Sequence, residues 1–263
     1  MILYRNEALD IISFLFYNGF VRSQKKEGRI YENMFKNLWD TDVEFIERMD
    51  LFLKDVEDEP ELNERTRTLA ICASLVGCQA LDVFTCIVED TLEVSLKAIE
   101  LKELLYQACA YLGYGKVYPF IQQTNGILKQ KQINLPLPSQ STTSKQTRLK
   151  KGSQAQVDIF GEHMKDFYKS GSKDSVHINR WLAENCFGDY YTRNGLTLRE
   201  REMITYCFLA AQGGCEPQLN SHIKANIRIG NDEAQLISIL SQCLPYIGYP
   251  RSLNALRCIK EAV

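Results

Sequence analysis

The feature that most constrains this chain is a long internal repeat. Leu104–Gly115, LLYQACAYLGYG, returns as Ile239–Pro250, ILSQCLPYIGYP, with Gln107/Gln242, Tyr111/Tyr246, Gly113/Gly248 and Tyr114/Tyr249 in register. Leu62–Val76 pairs in the same way with Leu196–Ala210, where Arg67 matches Arg201 and Leu69 matches Met203. A repeat this long marks a duplicated domain rather than an array of short units. Sustained strand alternation is missing, and apolar residues recur at helical spacing. The expectation is an all-α fold made by tandem duplication of one helical unit.

Helix signals run along both halves. Glu7–Phe20 and two stretches within Gly28–Met49 carry helical apolar sets. Asn63 can cap a helix over Glu64–Val76 that Gly77 ends, and Leu81–Asp90, Leu96–Leu112 and Val117–Gln122 follow. Lys129–Val157 is rich in Lys, Gln, Ser and Thr with few core formers, which suggests a partly mobile linker whose basic cluster Arg148, Lys150 and Lys151 is solvated linker or a helix start rather than a contact for an acidic partner. The expected division is a first repeat over 1–125, a linker over 126–156 and a second repeat over 157–263. In the second repeat Ile159–Phe167, Val176–Cys186, Asp232–Tyr246 and a last helix from Pro250 read as helical.

Composition bounds the function classes. A net charge of −2 gives no electrostatic footprint for nucleic acid. No run reaches the roughly 20 apolar residues of a membrane span, and the N-terminus lacks a signal-peptide pattern. Nine scattered cysteines without paired ligand spacing are expected as reduced thiols of a cytoplasmic protein. No metal site and no cofactor are expected.

Leu196–His222 gathers the reactive side chains. Thr197 and Glu200 form a capping box, which gives Glu200 a structural role. Glu202 lies further into a helix whose run Met203–Ala211 is too continuously apolar for a surface position, so its carboxylate needs a hydrogen-bonding partner. Gly213-Gly214 ends that helix. Pro217 opens the next and sets Cys215 at its N-terminus, where the macrodipole favours a thiolate. Cys215, Gln218 and His222 share one helical face at i, i+3, i+7. The first repeat has Thr68 in place of Glu202, Ala80 or Leu81 in place of Cys215, and Ile87 or Val88 in place of His222. The packing residues are common to both copies, whereas the reactive set belongs to the second alone.

Three segments, FGDYYTRNGLTLREREM (Phe187–Met203), GGCEPQLNSHIKANIRIG (Gly213–Gly230) and QCLPYIGYPRSLNAL (Gln242–Leu256), resemble the carboxymuconolactone decarboxylase family across 157–263. The first half resembles it weakly. The resemblance implies the helical fold shared with alkyl hydroperoxide reductase D, homo-oligomers, with trimers among tandem-repeat members, and sites near packed hairpins. It also implies a choice of chemistry. The reductase uses Glu, Cys-x-x-Cys and His, matched here by Glu202, Cys215 and His222, but Gln218 stands at the second cysteine. A single thiol cannot close that disulfide.

The leading expectation is therefore a cofactor-independent, decarboxylase-like lyase for a small carboxylated or lactone-like metabolite. His222 would move the proton, Glu202 would orient it, and Gln218 would bind a substrate carbonyl or carboxylate. A thiol peroxidase centred on Cys215, with Cys207 or an external thiol resolving, and a non-catalytic oligomeric scaffold are the alternatives. Each residue also has a plain structural role open to it: His222 as a core-edge histidine, Glu202 in a salt bridge to Arg199, Arg201 or a second subunit, Cys215 as a small residue at a tight helix start, and Gln218 as a surface polar residue. His163 and His177 receive no role.

Overall fold

A computed structural model describes residues 34–58 and 62–263, and all regular elements among them are helices. The helix expected over Glu7–Phe20 lies outside the described residues. The first half supplies α1 (Val43–Glu57), α2 (Glu64–Gly77), α3 (Leu81–Thr91), α4 (Ala98–Leu112) and α5 (Tyr114–Gln130). Then come α6 (Arg148–Phe160) and the short α7 (Val176–Trp181), which runs into a π-helical segment, Leu182–Tyr191. The second half ends with α8 (Leu198–Gln212), α9 (Glu216–Arg228), α10 (Glu233–Ile247) and α11 (Tyr249–Ala262).

The helix starts follow local chemistry. The Asn63 side chain accepts the Thr66 N–H at 2.9 Å, and the Asp232 carboxylate accepts that of Gln235 at 2.8 Å. At α8 the Thr197 hydroxyl accepts from the Glu200 N–H at 3.3 Å, while the Glu200 carboxylate accepts the Thr197 N–H at 2.8 Å, completing the expected box. Arg65 pairs with both Glu100 and Glu200, tying the first turns of α4 and α8 together.

At the centre α2 crosses α8, and the packing around that pair is mirrored. α4 lies on α8 as α10 lies on α2, α9 joins α8 as α3 joins α2, and α11 closes α9–α10 as α5 closes α3–α4. One apolar core runs through both halves, from Leu69, Val76 and Phe84 to Phe208, Ile223 and Ile239. Gly77 permits the crossing, because a Cβ there would meet Ala211 Cβ at 2.8 Å and the Phe208 carbonyl at 2.9 Å.

The segment 126–156 departs from its expected form as a linker. It supplies the end of α5, an irregular stretch whose Ile133, Leu135 and Leu137 pack on the core, and most of α6. The buried face of α6 is narrow, made of Gly152, Ala155, Gln156 and Ile159, so composition concealed it. Arg148 is paired within the chain, to Asp189 at 2.8 Å and Glu184 at 3.3 Å, rather than left to solvent. The helix expected over Ile159–Phe167 stops at Gly161 and continues as two single 3₁₀ turns.

α6 beds directly on the π-helical segment. A Cβ on Gly152 would lie 1.9 Å from the Ala183 carbonyl and 2.5 Å from the Gly188 nitrogen, both backbone atoms that cannot swing aside. Gly152→Ala should therefore lower the unfolding free energy by about 3 kcal/mol, the upper end of the usual overpacking cost. Urea unfolding reads this directly, and an unchanged midpoint would contradict the close backbone seating of α6.

Candidate active site

The candidate site forms where α8 and α9 meet the π-helical segment, α4 and α6. Glu202 is 0% exposed on α8, and a carboxylate removed from water in this way must accept hydrogen bonds at both oxygens. Tyr191 donates its hydroxyl to Oε1 at 2.7 Å, and His222 Nδ1 lies 2.7 Å from Oε2. A carboxylate that accepts at both oxygens holds the ring proton on Nδ1 and leaves Nε2 as the other ring nitrogen. The Glu202 salt bridge to Arg199 or Arg201 considered above does not form. Arg199 turns to Asn231 and Gln235, and Arg201 turns to Glu103 and Gln107.

Behind Tyr191 the hydrogen bonds continue into the first half of the chain. Its hydroxyl lies 2.8 Å from Thr205 Oγ1 and 2.8 Å from the Tyr111 hydroxyl, and Gln107 donates to Thr205 at 2.9 Å. Tyr191 spends its single proton on Glu202, so the Thr205 and Tyr111 hydroxyls donate to it and the chain of donors runs toward the carboxylate. Burial pushes the Tyr111 and Tyr191 phenols well above the ordinary tyrosine range, which keeps both as donors. Asn226 fixes the backbone on the other side by donating to the carbonyls of Glu202, at 3.0 Å, and of His222, at 2.7 Å.

His222, 7% exposed, lines a cavity of about 830 Å³. Its ring meets Tyr111 and Phe160 edge-on, at 5.3 and 5.2 Å between centroids. Phe187, Leu209 and Met164 make much of the remaining wall apolar, and Cys215 and Gln218 join it from the start of α9, as their shared helical face required. Lys224 and Arg228, exposed at the mouth one turn apart on α9, line the same cavity and make no ion pair among the described residues. No Asp or Glu is in the lining. Among the described residues no three His, Cys, Asp or Glu side chains converge on a metal position.

Cys215 departs from its expected thiolate character. Its thiol is half-buried against the Leu209 carbonyl, 3.6 Å away. Burial pushes its pKa up, against an opposing hydrogen bond from Gln212 and smaller effects from Glu216, which raises it, and Arg251, which lowers it. Desolvation is the largest influence on the thiol. Cys207, considered as a resolving thiol, is buried next to Cys243 and Ser74 in the core, and burial pushes it well up too.

Fold and site together define an all-helical protein with a buried carboxylate–imidazole pair at the wall of a largely apolar, cation-rimmed pocket. Residues 177–261 match the model of the carboxymuconolactone decarboxylase family. It is 24% identical over 115 residues to 4-carboxymuconolactone decarboxylase of Acinetobacter baylyi, an alignment covering 43% of this chain and 85% of that protein. No helix among the described residues is long and apolar enough to cross a membrane.

Several pocket residues had escaped the sequence reading. Tyr111 is shared with Tyr246 of the other repeat and so looked like a packing residue. Gln156, Phe160 and His163 belong to segments read as linker or as an unremarkable helix. Tyr191, which bonds Glu202 without lining the cavity, alone carried a signal, since a tyrosine in a buried stretch needs a hydroxyl partner. A thiol with a raised pKa is protonated at neutral pH and gains reactivity only as pH climbs toward that pKa. At pH 7.5 Cys215 should be alkylated by iodoacetamide more slowly than an unstructured cysteine peptide, with the gap closing as pH rises. Peptide mapping by mass spectrometry measures this, and faster alkylation than the peptide would contradict the buried-thiol geometry.

Proposed function

We propose that this chain is a cofactor-independent lyase of the decarboxylase type, acting on a small carboxylated or lactone-like molecule by proton transfer through His222 and Glu202. One observation carries the reading: a buried carboxylate holds a pocket-lining imidazole through Nδ1, in a cavity rimmed by Lys224 and Arg228. Histidine suits such a role because its protonation change ordinarily falls near neutral pH.

In the proposed reaction the substrate carboxylate leaves as CO2. The electrons of the broken C–C bond pass to the substrate carbon and into a conjugated carbonyl. Protonated His222 then donates its Nε2 proton to that carbon and regains one from water, so that one carboxylate and one proton become CO2 and the protonated product. Glu202 keeps the ring oriented. Gln218, through its side chain and its backbone N–H in the first turn of α9, is the donor we assign to the developing anion. Cys215 serves as pocket wall.

The thiol-peroxidase alternative is weakened by the raised Cys215 thiol and by the seating of Cys207 against Cys243. Burial of Glu202 and His222 beside a cavity weighs against a purely scaffolding role. We further propose that residues 1–125 and 157–263 arose by duplication, which the mirrored helix packing supports. A homo-oligomer, with a trimer favoured, fits the exposed Tyr114, Tyr118, Tyr249 and Leu253, which occupy equivalent places on α5 and α11. The nine free cysteines suit the reducing cytoplasm.

The name of the Acinetobacter relative supplies the first compound to assay, 4-carboxymuconolactone, with CO2 release as the readout. His222→Ala and Glu202→Gln should each lower turnover by about a hundredfold or more. Near-wild-type turnover in His222→Ala sinks the mechanism.

A further inference from the structure

Gln156 stands out within the pocket. It is 0% exposed, and neither Nε2 nor Oε1 has a hydrogen-bond partner among the described residues. It nevertheless lines the same cavity as His222. Leaving both ends of a buried amide unpaired is costly, and an apolar side chain of similar size would remove that cost. The lining also holds polar side chains such as Ser221 and Gln218, yet none of them pairs with the Gln156 amide. The residue comes from α6, outside the segment that matches the family model.

We infer that Gln156 is a substrate-anchoring residue, whose buried carboxamide pairs with a ligand group presenting a hydrogen-bond acceptor beside a donor. The substrate class follows from the contrast between the exposed cations and the buried amide of one lining. Lys224 and Arg228 at the mouth take a carboxylate, aromatic and aliphatic side chains take a flat apolar body, and Gln156 takes a polar group on that body, its Nε2 donating to a carbonyl and its Oε1 accepting from an adjacent N–H or O–H. An amide, a lactam or a hydroxy-carbonyl satisfies both atoms, whereas a simple ester or lactone satisfies only Nε2. The inference rests on the carboxylate-binding reading of the pocket given above and narrows it.

Calorimetric titration of the whole chain with three probes tests it: benzoate, its 4-methoxycarbonyl derivative and its 4-carbamoyl derivative. The wild type should bind the carbamoyl compound about tenfold more tightly than the ester, as expected for one additional satisfied hydrogen bond. Gln156→Leu should bring that ratio close to one and leave benzoate binding within about twofold, since an apolar replacement affects only the anchor. The same variant should melt at least about 2 °C higher, because it removes an unpaired buried amide. Gln156→Met, closer in length, should give the same two changes should the leucine variant fold poorly. Equal wild-type binding of ester and amide overturns the inference, as does an amide preference that survives either substitution. A lower melting temperature in both variants makes Gln156 a packing residue and overturns it as well. If benzoate binds but no preference depends on Gln156, this inference alone fails. If none of the three carboxylates binds, or if Lys224→Ala with Arg228→Ala leaves their binding unchanged, the carboxylate-binding reading fails and takes this inference with it.

Discussion

Two adjacent charged residues on α8, Arg201 and Glu202, are both 0% exposed, and much of the architecture follows from satisfying them. Charges taken out of water must be paired and hydrogen-bonded, or the helix cannot remain at the centre of the fold. Arg201 draws its partners from α4, donating to Glu103 and Gln107 at 3.0 Å each, and from the Arg193 and Asn194 carbonyls. Glu202 draws its partners from the π-helical segment and α9. One residue thus fastens the two halves together, and the next builds the site.

The mirrored halves differ where chemistry would reside. Arg67, at the place of Arg201, is also buried and paired, with Glu57 at 2.8 Å and Glu64 at 3.1 Å. Thr68, at the place of Glu202, makes hydroxyl contacts with Glu64 at 3.3 Å and Ser95 at 3.1 Å. Ile87 and Val88, at the place of His222, are plain core. The arginine position carries a fold requirement common to both halves. The carboxylate–imidazole pair is an addition to one of them, although its support reaches back through Tyr191 to Tyr111 and Gln107 of the first half.

Sequence patterns revealed the helices and the shared face of Cys215, Gln218 and His222 because both depend on local periodicity. Glu202 was legible as a buried carboxylate because an apolar run surrounds it. The identity of its partner was a tertiary fact, and Arg199 and Arg201 were as near in sequence as any rival. The cavity wall was less legible still. α6 buries only a narrow strip of small and polar residues against a backbone seat made by Gly152 and Gly188, and such a strip leaves no hydrophobic signature. Cys215 shows a competition that spacing alone cannot decide, between a helix start that favours the thiolate and desolvation that opposes it.

The central claim is that Glu202 holds the proton of His222 on Nδ1 and leaves Nε2 for chemistry. The chain has three histidines, so selective ¹⁵N-histidine labelling can resolve each ring by NMR. The account predicts one ring whose Nδ1–H proton is hydrogen-bonded and protected from exchange. Its signals should vanish in His222→Ala and lose that protection in Glu202→Gln. A His222 ring with no proton on Nδ1, or one unaffected by Glu202→Gln, would contradict it.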